Sequence, residues 1–210
     1  MMRVLVACES SGVVREAFRA KGHEAYSCDL LPSDDGSPHH LQSDAIRILW
    51  DTDRGWDLAI CHPPCTYLSV SGLHWNGRVE GRAEKTEAAL DFVRAMMAAP
   101  IDRIAIENPV SCISTRIRKP DQTIHPYQFG HNASKRTCLW LKNLPRLVPT
   151  KYVEPRIVGG KPRWANQTDG GQNNVGPSED RWKIRSKTYQ GVADAMSSQW
   201  SNAPFQEELF

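Results

Sequence analysis

The chain lacks long apolar runs: none of its 210 residues falls in a stretch approaching the ~18 apolar positions that cross a bilayer, so no membrane span is expected. It also lacks a secretory leader. Met1 to Cys8 is a short strand-like run whose only charge is Arg3, without the longer apolar core and small-residue cleavage site of a signal peptide, so a cytoplasmic location is expected. Cysteine is sparse. Six thiols in 210 residues, none spaced Cys-x-x-Cys, argue against a disulfide scaffold and against a structural zinc site, and no metal is expected. Internal repeats are absent, and the net charge is only +2. With 40% apolar and 24% charged residues, the composition is that of a globular chain with one main core.

Charge is scarce overall but unevenly placed. Lys142 to Lys187 holds ten Lys/Arg against four Asp/Glu, a local +6, which leaves −4 for the remainder. A basic segment beside an acidic body suits either a polyanion partner or a plain solvated surface.

Several apolar runs read as buried strands: Arg3–Cys8, Glu24–Cys28, Trp56–Cys61, Arg103–Ile106 and Cys138–Leu141. Helical spacing marks Val13–Lys21, stopped by Gly22, then Ala45–Trp50 and Ser186–Trp200. Arg82–Ala99 carries the clearest helical pattern, with Ala88, Ala89, Phe92 and Met96 on its predicted inner face. The strand–helix–strand opening predicts an α/β fold with a mostly parallel sheet and helices on both faces. Thr66–Gly81 has no periodicity and reads as a mobile loop. Residues 143–185 are rich in Pro, Gly, Asn and basic side chains and read as a short insertion between 1–142 and 186–201, with 202–210 as a tail.

Three of the apolar strands run into polar turns: Glu9-Ser10-Ser11-Gly12, His62-Pro63-Pro64-Cys65 and Glu107-Asn108-Pro109. Sites in open parallel sheets form at the carboxyl ends of strands, so these turns should meet at one edge.

In order and character these turns resemble those of the DNA cytosine-5 methyltransferases. That family places a proline-proline-cysteine turn after one strand and a glutamate-asparagine turn after the next, here Pro63-Pro64-Cys65 and Glu107-Asn108. The likeness covers residues 3–141 and 186–200 and is similar to the short methylase-like proteins found in phage genomes. It implies a Rossmann-like fold that binds S-adenosyl-L-methionine. Glu9, Ser10, Ser11, Gly12, Asp29, Asp44, Pro63 and Tyr189 would lie on the cofactor side, with Asp29 toward the ribose hydroxyls and Asp44 toward the adenine. The resemblance further implies Cys65 as the nucleophile at cytosine C6, Glu107 assisting at N3 and the exocyclic amine, and Arg136 at O2. A thiolate is the reacting form of such a cysteine, and a base inside a duplex must be flipped out to reach it. The expected DNA partner would meet Trp75 on the loop and Arg163, Trp164, Arg181, Trp182, Lys183 and Arg185 on the insertion. Some positions depart from the family pattern. Gly12 is the only glycine of the first turn, Thr66 follows the cysteine where glutamine is usual, and Asn132 and Ser134 stand at two of the three positions where the family's basic motif has two arginines and a glutamine.

Three other readings remain open at this stage. A free pyrimidine nucleotide would suit the small insertion. A non-catalytic binding protein would suit the glycine-poor turn. An amino-group methylase places an aromatic residue where Cys65 stands.

Overall fold

The structure, a computed structural model, describes residues 1–176, 178 and 185–201. The opening unit is β1 (Arg3–Ala7), α1 (Val13–Arg19) and β2 (Glu24–Asp29), followed by β3 (His40–Gln42) and α2 (Ala45–Leu49). Next come β4 (Leu58–Cys61), α3 (Val70–Leu73), α4 (Arg82–Met97), β5 (Arg103–Pro109) and α5 (Ile113–Arg116). The described chain closes with β6 (Gln122–Ile124), β7 (Thr137–Lys142), a hairpin of β8 (Arg156–Val158) and β9 (Lys161–Arg163), and α6 (Gln190–Trp200).

The main sheet runs β3-β2-β1-β4-β5-β7-β6. Its β3, β2, β1, β4 and β5 pair in parallel, whereas β7 is antiparallel to both β5 and β6. Parallel strands buried on both faces read as unbroken apolar runs, which is why β1, β4 and β5 were visible in the sequence. Alternation then divides their side chains. Leu5, Ala7, Ala59, Cys61, Ile104, Ile106, Cys138 and Trp140 pack under α2 and α4, while Val4, Val6, Leu58, Ile60, Ala105 and Leu139 pack under α1 and α6.

Two sequence expectations need correction here. The inner face of α4 is Thr86, Leu90, Val93 and Met96; Ala88 is exposed, and Ala89 and Phe92 are only half-buried. The larger side chains Leu90 and Val93 bury more apolar area than the alanines and set the rotation of the helix. Segment 66–81 is also more ordered than the loop expected of it. Leu68 is buried, Val70–Leu73 forms a helical turn, and Ser69 bridges to Ser111.

Helix α6 returns from beyond the insertion to cover the β1 face, burying Val192, Ala193, Met196 and Trp200 against Val14, Ala17 and Phe18 of α1. The Trp200 indole N–H donates to the Pro145 carbonyl at 2.9 Å. Gly191 lies against the Phe129 carbonyl, where a Cβ has no room, and its N–H donates to His131 Nε2 at 2.8 Å. Among the described residues, no helix is long and apolar enough to cross a membrane, and no group of three or more His, Cys, Asp or Glu could hold a metal ion.

Candidate active site

The polar turns after β1, β4 and β5 meet at the carboxyl edge of the sheet, as neighbouring parallel strands require. The turns after β4 and β5 are laced together. His62 Nδ1 and Glu107 Oε2 lie 2.9 Å apart, and the Asn108 amide donates to the Pro63 carbonyl at 2.7 Å. Further along, the Cys112 N–H donates to Leu68 O at 2.9 Å and the Val70 N–H donates to Val110 O at 3.2 Å. Cys65 stands at the head of this lacing, its own carbonyl accepting from the N–H groups of Leu68 and Ser69 at 3.1 and 2.9 Å.

Among the six cysteines, Cys65 alone is exposed. Burial pushes the thiols of Cys8, Cys61, Cys112 and Cys138 up, and that of Cys28 up to about 11. A thiol reacts as its thiolate and must be reached, so solvent access sets Cys65 apart from the other five.

Burial pushes the Glu107 carboxyl up, but the His62 hydrogen bond, the Lys135 ammonium, the His62 charge and the Thr137 hydroxyl outweigh it and hold it below the usual carboxylate value. Glu107 and Lys135 share a small pocket with Ile124, Pro126, Thr137, Thr188, Tyr189 and Val192. The Lys135 ammonium also donates to the Arg185 carbonyl at 3.0 Å.

The pocket holds Lys135 and not its neighbour Arg136. Residues opposed across an antiparallel pair share a face, and Glu107 opposes Leu139 while Pro109 opposes Thr137. Period-2 alternation therefore puts Lys135 and Thr137 on the side of Glu107 and turns Arg136 to the side of Cys138. Arg136 is exposed there, and its charge acts on His125 and Cys138. Lys135 is a cation at Glu107 that the sequence pattern did not single out.

In the turn after β1, Gly12 adopts φ +71°, a left-handed conformation that suits glycine, and a Cβ there would run into the buried Arg15 guanidinium. Arg15 pairs with Asp35 and donates to Ser27 Oγ at 2.8 Å. Glu9 has backbone partners at the start of α1. Its buried carboxylate accepts from the N–H groups of Val14 and Arg15 at 2.8 and 3.3 Å, so it closes the N-terminus of α1 from within. Burial pushes this carboxyl up despite the opposing His62 charge and the two N–H donors.

Ser10 and Ser11 flank the turn, and the Ser10 carbonyl accepts from the Asp34 N–H at 2.9 Å. Asp29 ends β2, with Oδ1 accepting from the Leu31 N–H at 2.9 Å, and Asp44 caps α2 through the Arg47 N–H at 3.0 Å. Pro63 is buried, and Tyr189 sits at the head of α6, edge-on to His131 at 5.3 Å between ring centroids. A glycine turn with the acid Asp29 one strand away fits an adenosyl cofactor, the acid for the ribose hydroxyls and the turn for close backbone approach.

Trp75 is 45% exposed on the segment that follows Cys65, near the exposed Val70 and Val79, with the Arg78 guanidinium over its ring at 5.9 Å. The insertion is anchored differently from expectation. Trp164 stacks on Tyr127 at 4.2 Å and donates its indole N–H to Val153 O at 3.1 Å, so one ring face and its only donor serve packing. Arg163 donates to the carbonyls of Asp169 and Pro162, and Arg156 pairs with Asp169 at 2.9 Å. Asn132 and Ser134 dock this insertion: Asn132 Oδ1 accepts from the Ala165 N–H, and Ser134 exchanges two bonds with the Asn166 side chain. Arg185 is exposed; Arg181, Trp182 and Lys183 lie outside the described residues, as does the tail 202–210.

No protein-family profile and no curated protein matches the chain. Solved structures do. The Entamoeba histolytica methyltransferase EhMeth superposes with a TM-score of 0.50 at 16% identity, over 73% of this chain and 58% of that one. The chain shares the Rossmann-like α/β fold of that methyltransferase. A DNA modification methyltransferase encoded within an E. coli prophage matches with a TM-score of 0.46 at 13% identity, over 75% of this chain and 56% of that one. The S. pombe Dnmt2 methyltransferase matches at 0.44 and 15%, over 73% and 51%. The chain thus spans only 51 to 58% of the length of these three structures. Within this methyltransferase fold, the laced turns of Cys65 and Glu107 occupy the carboxyl edge where ligands of open α/β sheets bind.

Proposed function

We propose that the protein transfers a methyl group from S-adenosylmethionine to C5 of cytosine in DNA through a covalent adduct between Cys65 and ring C6. The observation that carries this reading is the pairing of the exposed Cys65 thiol with an ionised Glu107 on the turn laced to it. Cytosine C5 is a weak nucleophile. Addition of the Cys65 thiolate to C6 while N3 takes a proton makes C5 enamine-like, and loss of the C5 proton with departure of sulfur restores the ring. Glu107 accepts from the exocyclic amine, and Lys135 donates to a ring carbonyl from the same pocket. Ser10, Ser11, Gly12, Asp29, Asp44 and Tyr189 are the residues to hold the cofactor, which supplies the electrophilic methyl group on its sulfonium. Trp75 and its apolar neighbours face DNA, where an aromatic side chain can fill the gap left by an extruded base.

A second reading, a free cytosine nucleotide as substrate, is favoured by one observation: Arg156 and Arg163 are spent on Asp169 and on backbone carbonyls within the insertion. The test is a covalent trap. The wild-type protein and Cys65→Ala are incubated with S-adenosylmethionine and DNA carrying 5-fluorocytosine, then denatured. A Cys65-dependent adduct that grows more efficient with DNA length is expected. An adduct with the free nucleotide and none with DNA would sink the polymer reading.

A further inference from the structure

His62 is the group at this site that the proposed reaction leaves without a role. Its position is fixed twice, by the end of β4 before it and by two prolines after it, which hold the backbone of the turn stiff. Its ring and the Glu107 carboxylate are almost equally enclosed, at 12% and 11% exposure, and are joined at 2.9 Å. The other ring nitrogen, Nε2, is buried without a hydrogen-bond partner among the described residues. Three further buried polar atoms share that condition, Asn108 Oδ1, Ser111 Oγ and Arg82 Nε, and all four lie on the segments that flank Cys65. Buried polar atoms are nearly always paired, so a cluster of unpaired ones beside a reactive thiol marks a place where protons and polar ligands are handled.

The charged groups around the ring come from four elements. Glu107 on β5 holds Nδ1, and the buried Glu9 on the β1–α1 turn interacts with the ring charge. Lys135, just before β7, acts on Glu107, while Arg15 on α1 acts on Glu9. His62 thus stands between the two buried acids of the site, one on the cofactor turn and one in the base pocket.

Resting on the cytosine reading above, we propose that His62 is a positioning residue that holds the reaction's proton: the His62–Glu107 pair, rather than Glu107 alone, supplies the proton that cytosine N3 takes as Cys65 adds to C6. The bookkeeping closes. The pair starts with one shared proton. The S–C6 bond forms from the thiolate electron pair, the C5–C6 π electrons move into the ring, and N3 takes the pair's proton, leaving neutral imidazole beside carboxylate. After C5 has taken the methyl group, the C5 proton passes to water as sulfur leaves, and N3 returns its own proton to the pair. A carboxylate held below its usual value is a poor acid by itself, and a hydrogen-bonded imidazole supplies what it lacks.

Two measurements test this on the full chain with His62→Asn, whose amide can replace the Nδ1–H donor without carrying a proton, and with His62→Ala. The first is the rate of adduct formation on 5-fluorocytosine duplex with S-adenosylmethionine, between about pH 5 and pH 7. The wild-type rate should climb with pH as thiolate accumulates, the proton for N3 coming from the hydrogen-bonded His62–Glu107 pair. The His62→Asn rate should be about 10- to 100-fold lower near neutrality and flat on the acid side, because gain of thiolate is offset by loss of protonated Glu107. A pH profile of unchanged shape in both variants overturns the proposal. The second is a carbon NMR titration of Glu107 in protein without DNA or cofactor. Its midpoint should rise when His62 is replaced, and an unmoved midpoint overturns the pair whatever the substrate. Absence of any wild-type adduct defeats the cytosine reading instead, and only the titration then decides the pairing.

Discussion

The Asn108 side-chain amide donates to the Pro63 carbonyl at 2.7 Å, which ties the strand of Glu107 to the turn of Cys65 through a buried hydrogen bond. A backbone carbonyl next to a proline turn has few partners, so this bond decides where the thiol stands relative to the carboxylate. Asn108→Ala should cost about 1–3 kcal/mol in urea unfolding, the penalty for orphaning a buried carbonyl. It should also slow adduct formation by more than the stability loss explains at temperatures where the variant is fully folded. Equal adduct rates for folded wild type and variant would deny the bond its positioning role.

Exposure separates Cys65 from the other five thiols, all of which burial pushes up or encloses. Brief native-state alkylation with iodoacetamide should label Cys65 first, by about tenfold or more over any other cysteine, as read by peptide mass spectrometry. In Cys65→Ala the remaining thiols should stay unlabelled until the protein unfolds.

Lys135 and Arg136 are adjacent in sequence and opposed in effect. Lys135→Ala removes a cation from Glu107, so the Glu107 titration should move up and adduct formation should slow about tenfold. Arg136→Ala should leave the Glu107 titration in place, because its charge acts on His125 and Cys138 across the strand.

Glu9 and Glu107 should contribute to stability with opposite dependence on pH. The Glu9 carboxyl is pushed up from 4.5 in the folded chain, so its contribution is fully present below about pH 4.5 and fades as pH rises through the raised value. Glu107 is held below 4.5, so its contribution is present above that value and is lost as pH falls through the lowered one. Glu9→Gln keeps an oxygen for the α1 N–H groups and removes the charge, so it should flatten the loss of stability on the alkaline side. Glu107→Gln should flatten the loss on the acid side. Urea midpoints measured across this range check both.

Much of this architecture was legible because buried parallel strands write themselves as apolar runs, and because polar residues at their carboxyl ends stand out against such runs. Val4, Leu5 and Val6 announce β1 in this way, and Leu58 to Cys61 announce β4. The three-residue strands β3 and β6 carry too little pattern: His40-Leu41-Gln42 and Gln122-Thr123-Ile124 pair through backbone groups with one apolar side chain each. The direction of β7 leaves no mark in composition, since either pairing buries Cys138, Leu139 and Trp140. The Lys135 site was missed for a related reason. Two basic residues in succession differ only in the face they take, and a one-residue change of phase exchanges the faces. Trp164 looked like a free stacking ring because its partner, Tyr127, lies on a distant segment that only the fold brings near.

Helix α6 gives the molecule an order of assembly. Val4 and Val6 leave the ribosome about 190 residues before Met196 and Trp200, which cover the same face. Closure of that face must wait until α6 has been made, with the insertion looped out between, and such long-range closure is slow. During synthesis the Cys65–Glu107 edge can form on a sheet with one side still bare. A nascent chain halted before Val192 therefore presents the exposed Cys65 on a partly folded platform, and capture of α6 is the event that closes the β1 face.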